Sequence, residues 1–395
     1  MPMAVYVKNV RSRISPPIFL FFSSYLLTGV ARWTIAPILP IYARDLGFSI
    51  ADLGIVSAGS GLALMIFEPI CGLWADKVGA RGIFIFSALL MPLIVFSFTL
   101  SGDFAVFAAL MFFSGLSLGA GGVSSRMLAR MGGWKGGRAF GAWYAAFSAA
   151  GVIGPAIGGF TATIDYRLAF YVAAVIGIIA FFLSLGTSGT DSVHLLDKGR
   201  ETRGLDREEK RLVIAVSSLM ILPMFLISVH RTFLPVFAKE KFLLSPSEIS
   251  SLFTIIAVVG LFAPLIFSEF SDRIGMRKMI MLGMALQASS FLLLPVASGI
   301  MMLVLTAFIL GLGNAATSPL TMALLMEKIS ASKQGLVLGV YGFCENVGIT
   351  LGPLIVGFIY QNYGAEFSFY VTSGLMLVNL IFCIVLLSTF VIRKL

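Results

Sequence analysis

The chain has 395 residues, of which 58% are hydrophobic and only 12% charged, with a formal net charge of +9. A water-soluble domain carries about 25% charged and about 45–50% apolar residues, so this chain lacks the charge to clothe a solvated surface. That excludes a soluble barrel or dinucleotide-fold enzyme, a disordered chain and a collagen, and it leaves a membrane protein. The surplus of basic residues does not point to nucleic acid, because little solvated face remains to carry it.

A hydrocarbon core of about 30 Å needs about 20 helical residues. Cutting the chain at charge and turn clusters predicts twelve spans, at 16–40, 49–73, 81–100, 104–126, 139–162, 167–187, 212–235, 247–270, 277–297, 300–324, 334–360 and 366–390. Pro37, Pro155, Pro264 and Pro353 fall inside them and are tolerated where neighbouring helices satisfy the freed carbonyls. The basic start is followed by a long apolar run with no small-residue cleavage site, which reads as a retained first helix.

Twelve spans put both termini on one side. Lys8, Arg11, Arg13, Lys77, Arg81, Arg126, Arg130, Lys135 and Arg138 fall on that side in the first half. Lys198, Arg200, Arg203, Arg207, Lys210 and Arg211 of the middle loop join them, with Arg273, Arg277, Lys278, Lys328, Lys333, Arg393 and Lys394 after it. Arg44, Arg167, Lys239 and Lys241 lie opposite. The positive-inside rule then makes both termini cytoplasmic, in a cell membrane. The one long polar segment divides the chain into an N-terminal six-helix unit at 1–187, a cytoplasmic linker at 188–211 and a C-terminal six-helix unit at 212–395. A short amphipathic helix is expected around Asp206 to Arg211. Cys71, Cys344 and Cys383 are widely spaced in apolar stretches and read as packed thiols. No metal is expected from them. No phosphate loop, His-Glu-x-x-His or Gly-x-Ser-x-Gly is present, so no cofactor, no ATP-driven pump and no enzyme is expected.

The two halves repeat each other. Gly72, Asp76, Lys77, Gly79 and Arg81 follow the second span; Ser268, Asp272, Arg273, Gly275 and Arg277 follow the eighth, with Asp, base, Gly and Arg in register 196 positions on. Gly154-Pro155 in the fifth span recurs as Gly352-Pro353 in the eleventh. A turn of a few residues needs glycine where φ is positive, which explains Gly79 and Gly275.

Gly-x-x-x-Asp-Lys-x-Gly-x-Arg between the second and third of twelve spans resembles the signature loop of the major facilitator superfamily. The resemblance implies an all-α fold of two six-helix bundles, related by duplication, around a central cavity that opens alternately to each side. It also implies that Asp76 and Arg81 latch this loop against the other bundle in one state. Gly151, Gly154, Pro155, Gly158 and Gly159 resemble the fifth-helix motif of the family's proton-coupled antiporters, with Ala150 where a further glycine is usual. The related Gly348 and Gly352 pattern leaves generic small-residue packing open as well. An arginine usual in the fourth helix of that branch is absent, its place being taken near Met111.

Ionisable groups inside spans are costly and face a cavity or a partner. Arg32, placed in the outer third of the first span, reads as a ligand for an anionic group, as the partner of a carboxylate, or as a snorkelling structural arginine. Glu345, followed by Asn346 near mid-membrane, is read as a proton carrier or substrate ligand, or as a structural pairing group. Glu68 is assigned pairing near the signature loop, with proton coupling as the other reading. His230 and Arg231 are placed near the outer end of the seventh span, as a substrate gate or an interfacial anchor. Glu269 is expected in the loop latch. Tyr25, Trp143, Tyr144, Phe225 and Tyr341 either line a greasy cavity or pack the helices. These readings favour a secondary transporter exchanging protons for small hydrophobic or amphiphilic compounds, functional as a monomer in the lipid bilayer. A sugar or metabolite uniporter or symporter, and a non-transporting sensor or scaffold, are the alternatives.

Overall fold

A computed structural model describes residues 16–100, 102–119, 124, 127, 136–187, 205–330 and 333–392. Within its helices the side chains of 76, 78, 136–144 and 387–392 fall outside that description. Lys8, Arg11, Arg13, Arg126, Arg130, Lys135, Lys198, Arg200, Arg203, Arg393 and Lys394 therefore lie outside the described residues, as do the side chains of Asp76, Arg138, Trp143 and Tyr144.

Every element among the described residues is helical. The first half contains α1 (Pro16–Ile35), α2 (Leu39–Asp45), α3 (Ile50–Val78), α4 (Ala80–Ser97), α5 (Phe104–Gly119), α6 (Gly136–Ile164) and α7 (Tyr166–Leu185). The second contains α8 (Arg207–Ser218), α9 (Ile221–Phe242), α10 (Pro246–Ile274), α11 (Met276–Leu293), α12 (Ile300–Lys328), α13 (Gln334–Tyr363) and α14 (Ala365–Ile392). Among the described residues ten stretches are long and apolar enough to cross a membrane, with α1 and α2 counting as one and α8 and α9 as another. The shorter apolar α5 and the more polar α11, which carries Arg277, Lys278 and Gln287, complete the twelve expected spans.

Several spans differ from their expected lengths. The first runs to Asp45 rather than residue 40, because the turn at 36–38 only interrupts it. Pro37 sits in that turn, where its missing N–H breaks the hydrogen-bond ladder without ending the span. The seventh begins at Arg207, inside the expected linker, where Asp206 caps α8 with a reciprocal Glu209 capping box. α3, α10 and α12 each have 29 residues, roughly 43 Å at 1.5 Å per residue, so they protrude beyond the hydrocarbon.

The duplication is written into the backbone. Ser49 and Asp52 form a capping box that starts α3; Ser245 and Glu248 form the same box at the start of α10. Each box satisfies two otherwise orphaned helix N–H groups. Gly79 (φ 86°) ends α3 and starts α4, and Gly275 (φ 100°) does the same between α10 and α11. The signature loops are thus one-residue corners.

Within the first bundle α1 packs on α6 and α7, α3 on α5, and α4 on α7; within the second α9 packs on α13, α10 on α12, and α11 on α12 and α14. The bundles meet along two seams, α3 with α13 and α6 with α10. Water does not drive helices together in lipid, so close approach and dispersion must hold these seams. On the first, a Cβ at Gly54 would strike the Pro353 carbonyl and the Gly357 Cα, and one at Gly61 would strike Thr350. On the second, Gly159 lies against Ser250 and Gly151 against Ala257. Ser250 and Ala257 are the repeat counterparts of Gly54 and Gly61, so duplicated positions make duplicated crossings. Away from the seams Phe160, Phe182, Leu265 and Ile381 are exposed. Such a surface would aggregate in water and is at no cost against lipid.

Candidate functional site

The two signature loops stand at one end of the molecule, called here the loop end. Arg81 donates from Nη2 to the Leu185 carbonyl at 3.0 Å, which ties the first loop to α7 of its own bundle. The expected latch to the other bundle is therefore not the contact Arg81 makes in this state. Lys77 and Asp272 are exposed. Arg273 pairs with Glu269 one turn earlier on α10 (2.7 Å, both ends 72% exposed), a local contact within the second loop. Gly72 lies about two turns before the Gly79 corner, and Arg277 opens α11.

The Gly-Pro helices split their small residues between two tasks. Gly154 and Gly158 press on the Trp33–Thr34 backbone of α1 inside the first bundle, whereas Gly151 and Gly159 sit on the seam with α10. In the second bundle Gly348 and Gly352 press on Ile221, Phe225 and Ser228 of α9. Pro155 and Pro353 lie inside helices that these contacts hold on both sides.

A central cavity with two lobes lies between these helices, and Phe147 of α6 belongs to both. The first lobe, about 70 Å³, is walled by Tyr25, Arg32, Phe84 and Met91 with the Ser87–Ser117 hydroxyl pair. The second, about 90 Å³, lies between the bundles, with Trp33 on one wall and His230, Arg231, Phe253 and Asn314 on the other. The Arg231 guanidinium stands over the Trp33 ring, 4.9 Å from its centroid, a cation–π contact across the bundles. Arg32 and Arg231 are close enough for their charges to act on each other. Among the described residues no carboxylate pairs with Arg32.

These positions correct two expectations. Because the first span continues to Asp45, Arg32 lies near mid-depth rather than in the outer third. Because the seventh runs from Arg207 to Phe242, His230 and Arg231 also lie inside it, well before its end. His230 is 3% exposed and packs on Phe253 and Phe291, which is not an interfacial position. Of the aromatic candidates, Tyr25 lines the cavity, while Phe225 and Tyr341 are buried core. Trp33 and Asn314 were missed as site residues; a polar atom in the middle of an apolar span was the available signal.

The carboxylates sit elsewhere, on the α3–α13 seam toward the loop end from the glycine crossings. Asn346 donates from Nδ2 to Glu68 Oε2 at 3.1 Å, linking the bundles. Glu345 beside it has Ser318 of α12 and Tyr341 of α13 as polar neighbours, the Tyr341 hydroxyl donating to the Ser318 carbonyl at 3.2 Å, and Glu68 is the carboxylate whose charge reaches it. Glu68 therefore faces α13, not the signature loop to which sequence assigned it.

The opposite end of the molecule is bolted. Arg44 pairs with Glu240 at 2.7 Å and Lys239 with Asp45 at 2.6 Å, both between bundles, and Lys239 also donates to the Tyr166 hydroxyl at 3.2 Å. Gln361 Oε1 accepts from the Ile50 N–H at 3.0 Å, joining α13 to the start of α3. Among the described residues, every ion pair between the bundles lies at this far end.

Twelve spans in two duplicated bundles, joined at one end by ion pairs and enclosing a central cavity with buried charge, define a membrane transporter of the alternating-access class. The Major Facilitator Superfamily profile matches residues 21–229 and again 216–393, and the chain belongs to that family. It is 26% identical over 380 residues to the quinolone resistance protein NorA of Staphylococcus aureus (strain N315), covering 93% of this chain and 96% of that protein. It is 25% identical over 365 residues to multidrug resistance protein 2 of Bacillus subtilis (strain 168), covering 88% and 89%. Among solved structures it resembles the nucleoside transporter NupG (TM-score 0.76, 15% identity, covering 94% of this chain and 98% of that one). The peptide transporter POT in complex with sulfate is similar too (TM-score 0.76, 16% identity, 94% of each). At such identities these two speak for the fold alone.

Proposed function

We propose that this protein exports small hydrophobic or amphiphilic compounds in exchange for protons, as a monomer in the cell membrane with both termini cytoplasmic. In that orientation the bolted far end is extracytoplasmic and the molecule faces inward. The units 1–187 and 212–395 rock against each other, and the linker 188–211 joins them. The names of the resistance-protein relatives agree with export. The observation that carries proton coupling is the Glu68–Asn346–Glu345 cluster on a seam that must open and close.

A carboxylate between helices costs less protonated than ionised when water is excluded, and two carboxylates in reach of each other cost more still. Closing the loop end therefore takes up a proton, and opening it to water releases one. Asn346 holds Glu68 in place across the seam, and Ser318 and Tyr341 orient Glu345. The signature loops, through Asp76 and Arg81 and through Asp272 and Arg277, latch the loop end when it closes. Arg81 leaves the Leu185 carbonyl in that state.

The test is one purified Glu345→Gln preparation in proteoliposomes, assayed for ligand binding, for substrate exchange and for flux driven by an imposed pH gradient. Coupling through Glu345 predicts retained binding and exchange with loss of gradient-driven flux. Unimpaired driven flux removes Glu345 as the carrier and leaves Glu68, tested in the same way as Glu68→Gln. Loss of all three activities together means structural pairing instead.

A further inference from the structure

The second cavity lobe contains buried polar atoms that have no partner. Trp33 Nε1, His230 Nε2 and Asn314 Oδ1 are each shielded from solvent, and none makes a hydrogen bond to the protein. All three residues line this one lobe, from α1, α9 and α12. A buried polar atom left without a partner costs about 1–3 kcal/mol, so three at one place mark a site completed by something other than the protein.

All three residues can present a donor to the lobe. An indole N–H only donates. His230 Nε2 donates in the tautomer that carries its proton there, and the Asn314 amide turns either its oxygen or its nitrogen inward. The Arg231 guanidinium stands over Trp33 in the same lobe, and Arg32 acts on it from the neighbouring one. Neither Glu68 nor Glu345 lines either lobe. A volume of about 90 Å³ admits a small headgroup and not a whole drug-sized molecule, for which pockets run to about 300–1,000 Å³. Phe147, Phe253, Ile256 and Leu310 supply an apolar wall beside it.

We infer that this lobe is an anion subsite, in which Trp33, His230 and Arg231 hold the carboxylate or sulfonate of an amphiphilic organic anion while its apolar body lies along Phe147 and Phe253. The transported class is then organic anions, not lipophilic cations, for which the lobe holds two like charges nearby and no carboxylate. Arg231 is kept in place without substrate by the Trp33 ring, so ligand binding adds hydrogen bonds to a guanidinium already held. This inference rests on the proposed transport through the central cavity. It is separable from proton coupling, because the subsite and the carboxylate cluster share no residue.

The experiment measures equilibrium binding by the full-length protein in detergent, with no gradient present. The probes are a matched set, 4-butylbenzoate, 4-butylbenzamide and 4-butylbenzyltrimethylammonium, which differ in headgroup charge. The benzoate is expected to bind at least tenfold more tightly than the other two. Trp33→Phe, which keeps the ring and removes the N–H, should weaken the benzoate several-fold and leave the amide unchanged. Arg231→Gln should abolish the preference, and Arg231→Lys should retain part of it. Equal affinities across the set, tighter binding of the cation, no binding of the benzoate at millimolar concentration, or a preference that survives both Trp33→Phe and Arg231→Gln would each overturn the inference. A headgroup preference without gradient-driven flux would leave the subsite standing and remove only the coupled-export reading. Driven export without the preference would do the reverse.

Discussion

Arg44 and Glu240 are 196 positions apart, the repeat spacing of the chain, and their side chains meet at 2.7 Å. Residues related by the duplication can touch each other only close to the axis that relates the two bundles. Equal charges there would repel, so the copies have diverged to opposite sign. Lys239 and Asp45 add a second pair beside the first, and together they join the bundles at the far end.

The first prediction follows from this gate. The pairs are roughly 30–45% exposed on their side chains, and an exposed ion pair is worth at most about 1 kcal/mol, so a reversal should change the open-to-closed ratio at the far end by roughly fivefold. Arg44→Glu should raise, and Arg44→Glu with Glu240→Arg should restore, the rate at which a thiol reagent applied from the far end labels a cysteine placed at Ile227 in a background lacking the native cysteines. Equal rates in all three proteins would show that the pair does not gate.

The seams supply the second. Gly158→Ala drives a Cβ onto the Thr34 carbonyl and Gly54→Ala onto the Pro353 carbonyl, backbone atoms that cannot swing aside. Overpacking of this kind costs about 1–3 kcal/mol. Gly339 and Gly374 are also helical, but nothing lies within 4 Å of a Cβ built there. Gly339→Ala and Gly374→Ala should be neutral or stabilising by up to about 1 kcal/mol, since alanine is the better helix former. Thermal unfolding of the four variants in one detergent should separate them into two groups.

The third concerns backbone conformation. Gly79 and Gly275 have φ of 86° and 100° with extended ψ, a region that side chains disfavour, so alanine at either corner should cost about 1–3 kcal/mol. Leu243 has φ 56° at the end of α9, the repeat counterpart of Gly47 with φ 96°. Its side chain is 87% exposed and packs on little, so Leu243→Gly should stabilise by up to about 1 kcal/mol in the same unfolding assay.

Membrane class, twelve spans, the duplication and the glycine corners at Gly79 and Gly275 were legible in the amino-acid order, because each depends on local properties: hydropathy over some twenty residues, a repeated string, a turn too short for a side chain. Span ends were less legible. Pro37 marks a turn inside the first span, not its end, and hydropathy cannot distinguish the two; Arg32, His230 and Arg231 were consequently placed too near the surface. The partners were not legible at all. That Glu68 faces Asn346, that Arg231 lies over Trp33, and that Gly54 meets Gly357 while Gly159 meets Ser250 depends on the rotation of each helix about its axis and on which helices of the two halves become neighbours. Those choices are set by close packing between segments hundreds of residues apart, where a turn of 100° per residue decides whether a polar group meets a cavity, a partner or lipid.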